Sequence, residues 1–169
     1  MAAFPPPKRP PAAHPVDVGL RSETAVLAAL VRLGYDVLVP HGTNHRYDLV
    51  VDTGKGFVRI QCKTGVDRGG RLIFRSQSVR SNARRASTRT YLGEVDFFAV
   101  HSPLTGRIFM VPCDETTRGH TTLRFDSPSN GKVKGIRWAA DHELVPPPGE
   151  PERGIEPLRS RLQIGCSSN

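Results

Sequence analysis

One short stretch of this chain brings together a carboxylate, a carboxamide and an ammonium group. Residues 47–52 (YDLVVD) and 57–63 (FVRIQCK) are rich in β-branched and aromatic residues, and the Thr-Gly-Lys-Gly between them suits a hairpin turn. Symmetric pairing about that turn places Asp48 opposite Gln61, with Lys63 on the same face as Gln61. Asp48 and the Gln61 carbonyl are hard oxygen ligands for a divalent cation, and Lys63 can neutralise charge that develops on a phosphate. The hairpin therefore predicts metal-assisted phosphate chemistry.

A fourth group comes from the helix that the spacing predicts over residues 18–33, with Gly34 as its C-terminal cap. The predicted apolar stripe of this helix comprises Leu20, Leu27, Leu30 and Val31. Glu23 lies within that stripe, so it is expected to point toward the sheet. Because carboxylates are rarely buried without a partner or a metal ion, we expect Glu23 to approach Asp48. The alternative is a helix surface residue paired with Arg21.

The order of these groups resembles that of the PD-(D/E)XK nuclease superfamily, which includes archaeal Holliday-junction resolvases and many restriction enzymes. In this chain the pattern is a helix Glu23, then Asp48, then Gln61-Cys62-Lys63 across a hairpin. The closer likeness is to the small bacterial, phage and group I intron homing endonucleases, whose third motif is Q-x-K. Further matching stretches are GYDV (34–37), RYDL (46–49), YLGEVDFF (91–98) and VP (111–112), so the likeness covers about residues 17–145.

Two residues depart from the superfamily pattern. Tyr47 stands where the first motif has proline, a position that donates no catalytic group. Gln61 stands where most members have an acid, which removes one negative charge from the metal site. A carboxamide still ligates through oxygen, and the homing endonuclease branch carries this substitution, so the chain is interpreted as an active variant.

The resemblance implies an α/β fold with a restriction-endonuclease-like core, in which helices flank a central mixed β-sheet. It implies a Mg²⁺- or Mn²⁺-dependent endodeoxyribonuclease of the homing type that hydrolyses phosphodiester bonds in double-stranded DNA. Cutting both strands would need two active sites, hence a homodimer or homotetramer. The implied catalytic residues are Glu23, Asp48, Gln61 and Lys63, and the implied metal ligands are Glu23, Asp48, Gln61 and the Cys62 carbonyl. Two alternatives are a Holliday-junction resolvase and a non-catalytic DNA-binding module on the same fold.

The charge distribution favours a nucleic-acid partner. The chain has 169 residues, a net charge of +8 and a pI near 10.0. Residues 68–91 contain seven arginines and no acid, interleaved with Ser, Thr, Asn and Gln. Such a stretch binds phosphates by charge and by hydrogen bonds, although a solvated basic loop is the simpler interpretation of any charge run. The predicted DNA-binding residues are Arg75, Arg80, Arg84, Arg85 and Arg89.

Several other groups carry weaker signals. The three cysteines form no C-x-x-C pair, so neither a zinc site nor a disulfide framework is indicated, and a reducing cytoplasm is expected. No apolar run reaches transmembrane length, so no membrane partner is expected. His41 and His45 have the spacing of a helical metal pair, but their Pro and Gly neighbours favour a loop in which His45 or Arg46 contacts DNA. Asp52 is predicted to be a turn residue and not the catalytic acid.

The composition along the chain predicts three segments. Residues 1–16 form a disordered proline-rich arm, residues 17–145 the nuclease domain, and residues 146–169 a flexible tail. Strands are predicted at 36–40, 47–52, 57–64, 71–75, 95–101 and 107–112, and a helical segment near 79–86.

Overall fold

Ten strands and two α-helices make up the described part of the chain, residues 14–42, 44–82, 85–127 and 134–145 of the computed structural model. In chain order they are α1 (Pro15–Arg32), β1 (Asp36–Leu38), β2 (Leu49–Asp52), β3 (Phe57–Thr64), β4 (Val66–Asp67), β5 (Arg71–Arg75), β6 (Gln77–Asn82), β7 (Arg85–Thr90), β8 (Phe97–His101), β9 (Ile108–Pro112), a single 3₁₀ turn (Cys113–Glu115), β10 (His120–Arg124) and α2 (Ala139–His142). No helix among these residues is long and apolar enough to cross a membrane.

A mixed five-stranded sheet in the order β1-β2-β3-β8-β9 forms the centre of the fold. β3 and β8 are parallel, while the other neighbouring strands are antiparallel. β8 consists almost entirely of buried apolar residues, as expected for a strand covered on both faces. The register between β2 and β3 sets Leu49 opposite Ile60, and the Thr53 N–H donates to the Gly56 carbonyl at 3.0 Å to close the turn. This is the hairpin that the sequence predicts.

The two faces of the central sheet are covered differently. On one face, α1 packs Val26 and Leu30 against a buried cluster that includes Ile60. On the other face, a small sheet in the order β10-β5-β4 packs Phe74 and other residues against Phe98. The α/β class with a central mixed sheet is confirmed.

The buried face of α1 differs from the predicted stripe. Leu20 and Val31 are 61% and 56% exposed, and the residues that face the sheet are Ser22, Val26, Ala29 and Leu30. The helix has apolar residues on two sides, and the side with the smaller Ser22 and Ala29 lies against the strands. The helix also begins at Pro15, three residues before the predicted start at 18.

The predicted helix near 79–86 is wrong. β6 and β7 form an antiparallel hairpin there, which we call the arm hairpin, and its strands pair only with each other in the described part of the chain. The two strands contain five Ser and Thr residues among twelve and lack the apolar periodicity that would hold a helix on a core.

The predicted strands at 57–64 and 71–75 are confirmed to the residue. Other strands are one or two residues shorter than predicted: β1 ends at Leu38, and β2 and β8 begin at Leu49 and Phe97. The Gly34 cap is confirmed by its φ of 80° and by an N–H bond to the Val31 carbonyl at 3.0 Å.

Candidate active site

Asp48 lies at the start of β2, where backbone and side-chain donors from β3 surround its carboxylate. The Asp48 N–H donates to the Ile60 carbonyl at 2.8 Å, and because Ile60 already pairs with Leu49, the ladder shifts by one residue at Asp48. Asp48 Oδ2 accepts hydrogen bonds from the Gln61 side-chain amide and from the Cys62 N–H, the latter at 2.8 Å. Gln61 is only 8% exposed. The carboxylate is therefore held in one orientation by two donors on β3.

Lys63 completes the cluster from the same face of β3. Its ammonium group donates to the Tyr91 hydroxyl at 3.2 Å and lies 4.8 Å from the centroid of the Tyr91 ring. Its positive charge acts on Asp48, where it lowers the pKa of the carboxyl. The hairpin thus brings Asp48, Gln61 and Lys63 together, in the register that the sequence predicts.

Glu23 reaches the same cluster from α1. Burial raises the pKa of Glu23, and the nearby negative charge of Asp48 raises it further. The pKa of Asp48 is also raised, chiefly by burial, against the opposing effects of the Cys62 N–H, Lys63 and Gln61. Two carboxylates that repel each other at a partly buried site are stabilised by a cation. The effect of Asp48 on the pKa of Glu23 indicates that Glu23 lies near Asp48, on a stripe of which Leu27 and Leu30 pack on the sheet while Leu20 and Val31 are exposed.

The donor set at this cluster fits a hard cation. The described residues contain no group of three or more His, Cys, Asp and Glu side chains suited to a metal ion. Mg²⁺ needs fewer protein ligands, since it is commonly held by one or two carboxylates together with phosphate and water oxygens. Glu23 and Asp48 supply two carboxylates, and Gln61 and the Cys62 carbonyl supply neutral oxygens. The same set would be a poor site for zinc, which prefers His and Cys.

The Cys62 thiol does not contribute to such a site. Burial raises the pKa of this thiol far above its usual range, with smaller contributions from the charges of Asp48 and Glu23. A thiol that stays protonated is a poor metal ligand. The backbone carbonyl of Cys62, which receives a long 3.4 Å contact from the Gln61 amide, remains the candidate ligand at this position.

The predicted DNA-binding arginines are distributed over β5 and the arm hairpin. Arg75 lies at the exposed end of β5, and Arg80 and Arg85 lie in the two arm strands. Arg89 is exposed and pairs with Glu94. Arg84 lies outside the described residues, as do Cys166, the residues 1–13 of the proline-rich arm and the tail from 146 to 169.

Arg46 anchors the arm hairpin, a role that the sequence did not predict. Its guanidinium pairs with Glu94, donates to the Ser78 hydroxyl at 2.9 Å and donates to the Thr90 carbonyl at 2.6 Å. The guanidinium carbon also lies 4.0 Å from the centroid of the Tyr91 ring. Arg46 was expected as a possible DNA contact, but its donors are used within the protein at the base of the arm.

Asp96 belongs to the stretch 91–98 that resembles the nuclease superfamily, and it links neighbouring strands of the fold. Its carboxylate accepts hydrogen bonds from the Arg59 N–H at 2.7 Å and from the Arg59 guanidinium at 3.0 Å. Its backbone carbonyl accepts the Cys113 N–H at 2.9 Å. Asp96 therefore joins β3 to β8 and to the end of β9, next to the strand that carries the cluster.

Two residues that could be mistaken for catalytic groups have local roles. Asp52 accepts the Gly54 N–H at 2.7 Å, which confirms it as a turn residue. His45 hydrogen-bonds the carbonyl of His41 at 2.9 Å within an irregular segment, so the loop prediction is confirmed and the two rings do not share a helix face.

The cluster lies outside the cleft of about 440 Å³ that opens at the far end of α1. That cleft is lined by residues such as Leu30, Tyr35 and Met110 and by none of the four predicted catalytic residues. The candidate site is therefore not part of this apolar cleft.

Comparisons with known proteins bear on the family and the fold. Residues 13–145 match the family model described as PD-(D/E)XK endonuclease. The fold is similar to that of a bacterial homing endonuclease, I-Ssp6803I, with a TM-score of 0.65 and 19% identity over 78% of this chain and 89% of that chain. Another similar structure is Hjc, a Holliday junction resolvase from the archaeal hyperthermophile Archaeoglobus fulgidus, with a TM-score of 0.39 and 17% identity over 63% of this chain and 83% of that chain. No curated protein matches the chain.

Proposed function

Because this chain belongs to the PD-(D/E)XK endonuclease family, we propose that it is a homing-type endonuclease that cuts double-stranded DNA with the help of Mg²⁺ or Mn²⁺. The observation that carries this proposal is the convergence of Asp48, Gln61 and Lys63 on one face of the hairpin. Glu23 lies near enough for its carboxylate and that of Asp48 to repel each other.

Each residue has a role that follows from its chemistry. Asp48 and Glu23 would hold the cation, and Gln61 and the Cys62 carbonyl would add neutral oxygen ligands. When bound, the metal ion supplies polarisation of the phosphate and a more acidic bound water.

The protein itself orients and balances charge at the site. The Cys62 N–H and the Gln61 amide fix the direction of the Asp48 carboxylate. Lys63 places a positive charge beside Asp48. A phosphate bound there would gain negative charge in the transition state, and the Lys63 charge would stabilise it. The Gln61 amide donates to Asp48 and adds no negative charge to the site.

The proposed partner, oligomeric state and compartment rest on the charge of the protein, on the symmetry of DNA and on the free cysteines. A net charge of +8 and the arginines of β5 and the arm hairpin support binding to duplex DNA. Cutting two strands calls for two active sites, so we propose a homodimer or homotetramer. The buried cysteines Cys62 and Cys113 are free, which supports a reducing compartment such as the cytoplasm.

The proposal is tested by incubating the protein with a plasmid and with a four-way junction, each with and without Mg²⁺. We expect Mg²⁺-dependent cutting of the plasmid, and we expect Asp48→Asn and Lys63→Ala to abolish it while DNA affinity stays within roughly tenfold. Asp52→Asn and Lys55→Ala are matched controls, because each makes the same type of change at the turn of the same hairpin.

The outcomes separate the alternatives. Undiminished cutting by Asp48→Asn or Lys63→Ala would refute the assigned site. Preference for the junction would identify a resolvase, and binding without cutting in Mg²⁺ or Mn²⁺ would identify a non-catalytic DNA-binding module.

A further inference from the structure

Lys63 has a long side chain that must be held in place to act at one phosphate. A lysine stem has four rotatable carbons, and fixing its ammonium group costs considerable rotamer entropy. Within the described part of the chain, the hydrogen bond recorded for this ammonium is the one to the Tyr91 hydroxyl, at 3.2 Å. The ammonium also lies 4.8 Å from the centroid of the Tyr91 ring, within the range of a cation–π contact.

Tyr91 is itself held firmly. It is 5% exposed, and its ring meets Phe98 edge-on, with 5.4 Å between centroids and 85° between planes. Its backbone carbonyl accepts the N–H groups of Glu94 and Val95 at 2.9 and 3.1 Å, which fixes the turn that carries it. Because both the ring and the backbone of Tyr91 are fixed, this residue can serve as a rigid support for a flexible lysine side chain.

A second cation rests on the same ring. The Arg46 guanidinium carbon is 4.0 Å from the ring centroid, and its donors are engaged by Ser78, Thr90 and Glu94. A Phe ring would pack in the same place and would attract both cations through its face, so the hydroxyl is the part of Tyr91 that packing does not explain. The hydroxyl that faces Lys63 points to a role beyond packing.

We propose that Tyr91 is a positioning residue for Lys63, whose hydroxyl and ring hold the ammonium group beside Asp48. The catalytic consequence rests on the proposed endonuclease function. The positioning is a property of the free protein and can be measured without any DNA.

The first measurement follows the Lys63 side chain by NMR after labelling the lysine ε-carbons with ¹³C. The chain has five lysines, and Lys63→Arg identifies the Lys63 signal. In the wild type we expect two separate ε-proton shifts, displaced by the Tyr91 ring. Tyr91→Phe should bring the two shifts closer together, because the ring remains but the ammonium is released from the hydroxyl. Tyr35→Phe is the matched control, since Tyr35 is a half-buried tyrosine at the apolar cleft.

The second measurement separates kcat from KM in DNA cleavage. Tyr91→Phe should lower kcat about tenfold, the effect of losing one hydrogen bond to a charged group, and should leave KM and DNA affinity unchanged. Tyr35→Phe should leave both constants unchanged. A purely structural role would instead lower the stability of Tyr91→Phe with no change in kcat for the folded fraction.

The two measurements distinguish failure of this inference from failure of the proposed function. Unchanged Lys63 signals or an unchanged kcat in Tyr91→Phe would overturn the positioning role. If the wild type cuts no DNA under any metal condition, the proposed function fails, and the NMR comparison still decides whether Tyr91 holds Lys63.

Discussion

Two β-hairpins of the protein contrast in how they are supported. The hairpin of β2 and β3 lies inside the five-stranded sheet, and its residues Leu49, Val51 and Ile60 are almost completely buried. The arm hairpin of β6 and β7 is polar, pairs only with itself among the described strands, and is tied to the body by Arg46. The cluster that is proposed to hold a cation and a phosphate lies on the supported hairpin. The arginines proposed to follow a DNA backbone sit largely on the unsupported one.

The largest expected difference between the two hairpins is in stability. Ile60→Ala should lower the free energy of unfolding by about 2–5 kcal/mol, since it removes a buried side chain from the close-packed face below α1. Thr88→Ala, at an exposed position of the arm, should change it by about 0.5 kcal/mol or less. Urea unfolding of both variants measures the difference. Equal losses would mean that the arm is as much a part of the folded core as the site hairpin.

The next expected difference is in DNA binding. Changing Arg80, Arg84 and Arg85 together to Ala should lower the slope of log affinity against log salt by about three, because each arginine is proposed to neutralise one phosphate. The kcat at saturating DNA should remain near the wild-type value, since the site hairpin is untouched.

A charge-matched control variant changes the exposed arginines Arg21, Arg32 and Arg118 to Ala. If the arm variant and this control lose the same affinity and slope, the arginine run is only a solvated basic segment.

A smaller effect is expected at Glu23. Glu23→Gln should raise the metal-free stability by about 0.2–1 kcal/mol, the range for partly exposed charge pairs, because it removes repulsion from Asp48. It should also reduce cleavage and the rise in Tm that Mg²⁺ or Mn²⁺ produces. Thermal unfolding with and without metal measures both changes, with Asp114→Asn as an exposed control. Full activity and an unaltered metal response would make Glu23 a helix surface residue.

The smallest effect concerns His101, which hydrogen-bonds Ser22 at 3.1 Å on the α1 side of the sheet, where Ser22 also meets Thr64 at 2.7 Å. Burial lowers the pKa of His101 from 6.5, partly offset by the charge of Asp67. As the pH falls below 6.5, the His101 imidazole is therefore protonated in the unfolded chain before it is protonated in the folded protein. The contribution of neutral His101 to the free energy of unfolding is lost in that pH range. Urea unfolding at pH 7.5 and 5.5 should show a smaller loss for His101→Asn than for the wild type. The same loss in both proteins would contradict this account.

The site hairpin could be predicted from the sequence because two local signals agreed. Alternating apolar residues and a glycine-containing turn fixed which residues faced each other, so Asp48, Gln61 and Lys63 were brought together correctly. The arm hairpin has no alternating apolar pattern in its sequence, and hydrophobic periodicity therefore carried no information about it.

Other parts of the site depended on contacts distant in sequence. Lys63 and Tyr91 are 28 residues apart, and nothing in the local pattern around either residue predicts their hydrogen bond. The direction of α1 could not be read from its stripe, because the helix is apolar on two sides and only packing decides which side is buried. The predicted approach of Glu23 to Asp48 is supported by the effect of Asp48 on the pKa of Glu23, and Leu27 and Leu30 of the predicted stripe do pack on the sheet.

The parallel pairing of β3 with β8 determines when the candidate site can be completed during synthesis of the chain. By the time Lys63 has left the ribosome, every proposed metal ligand has been synthesised, yet the strand that flanks β3 begins only at Phe97. Because β3 is a central strand, its edge stays open and Lys63 lacks its tyrosine until residues 91–101 have emerged. An unfinished chain therefore carries the complete set of ligands without the frame that aligns them. The site can reach its final geometry only after the sheet is complete.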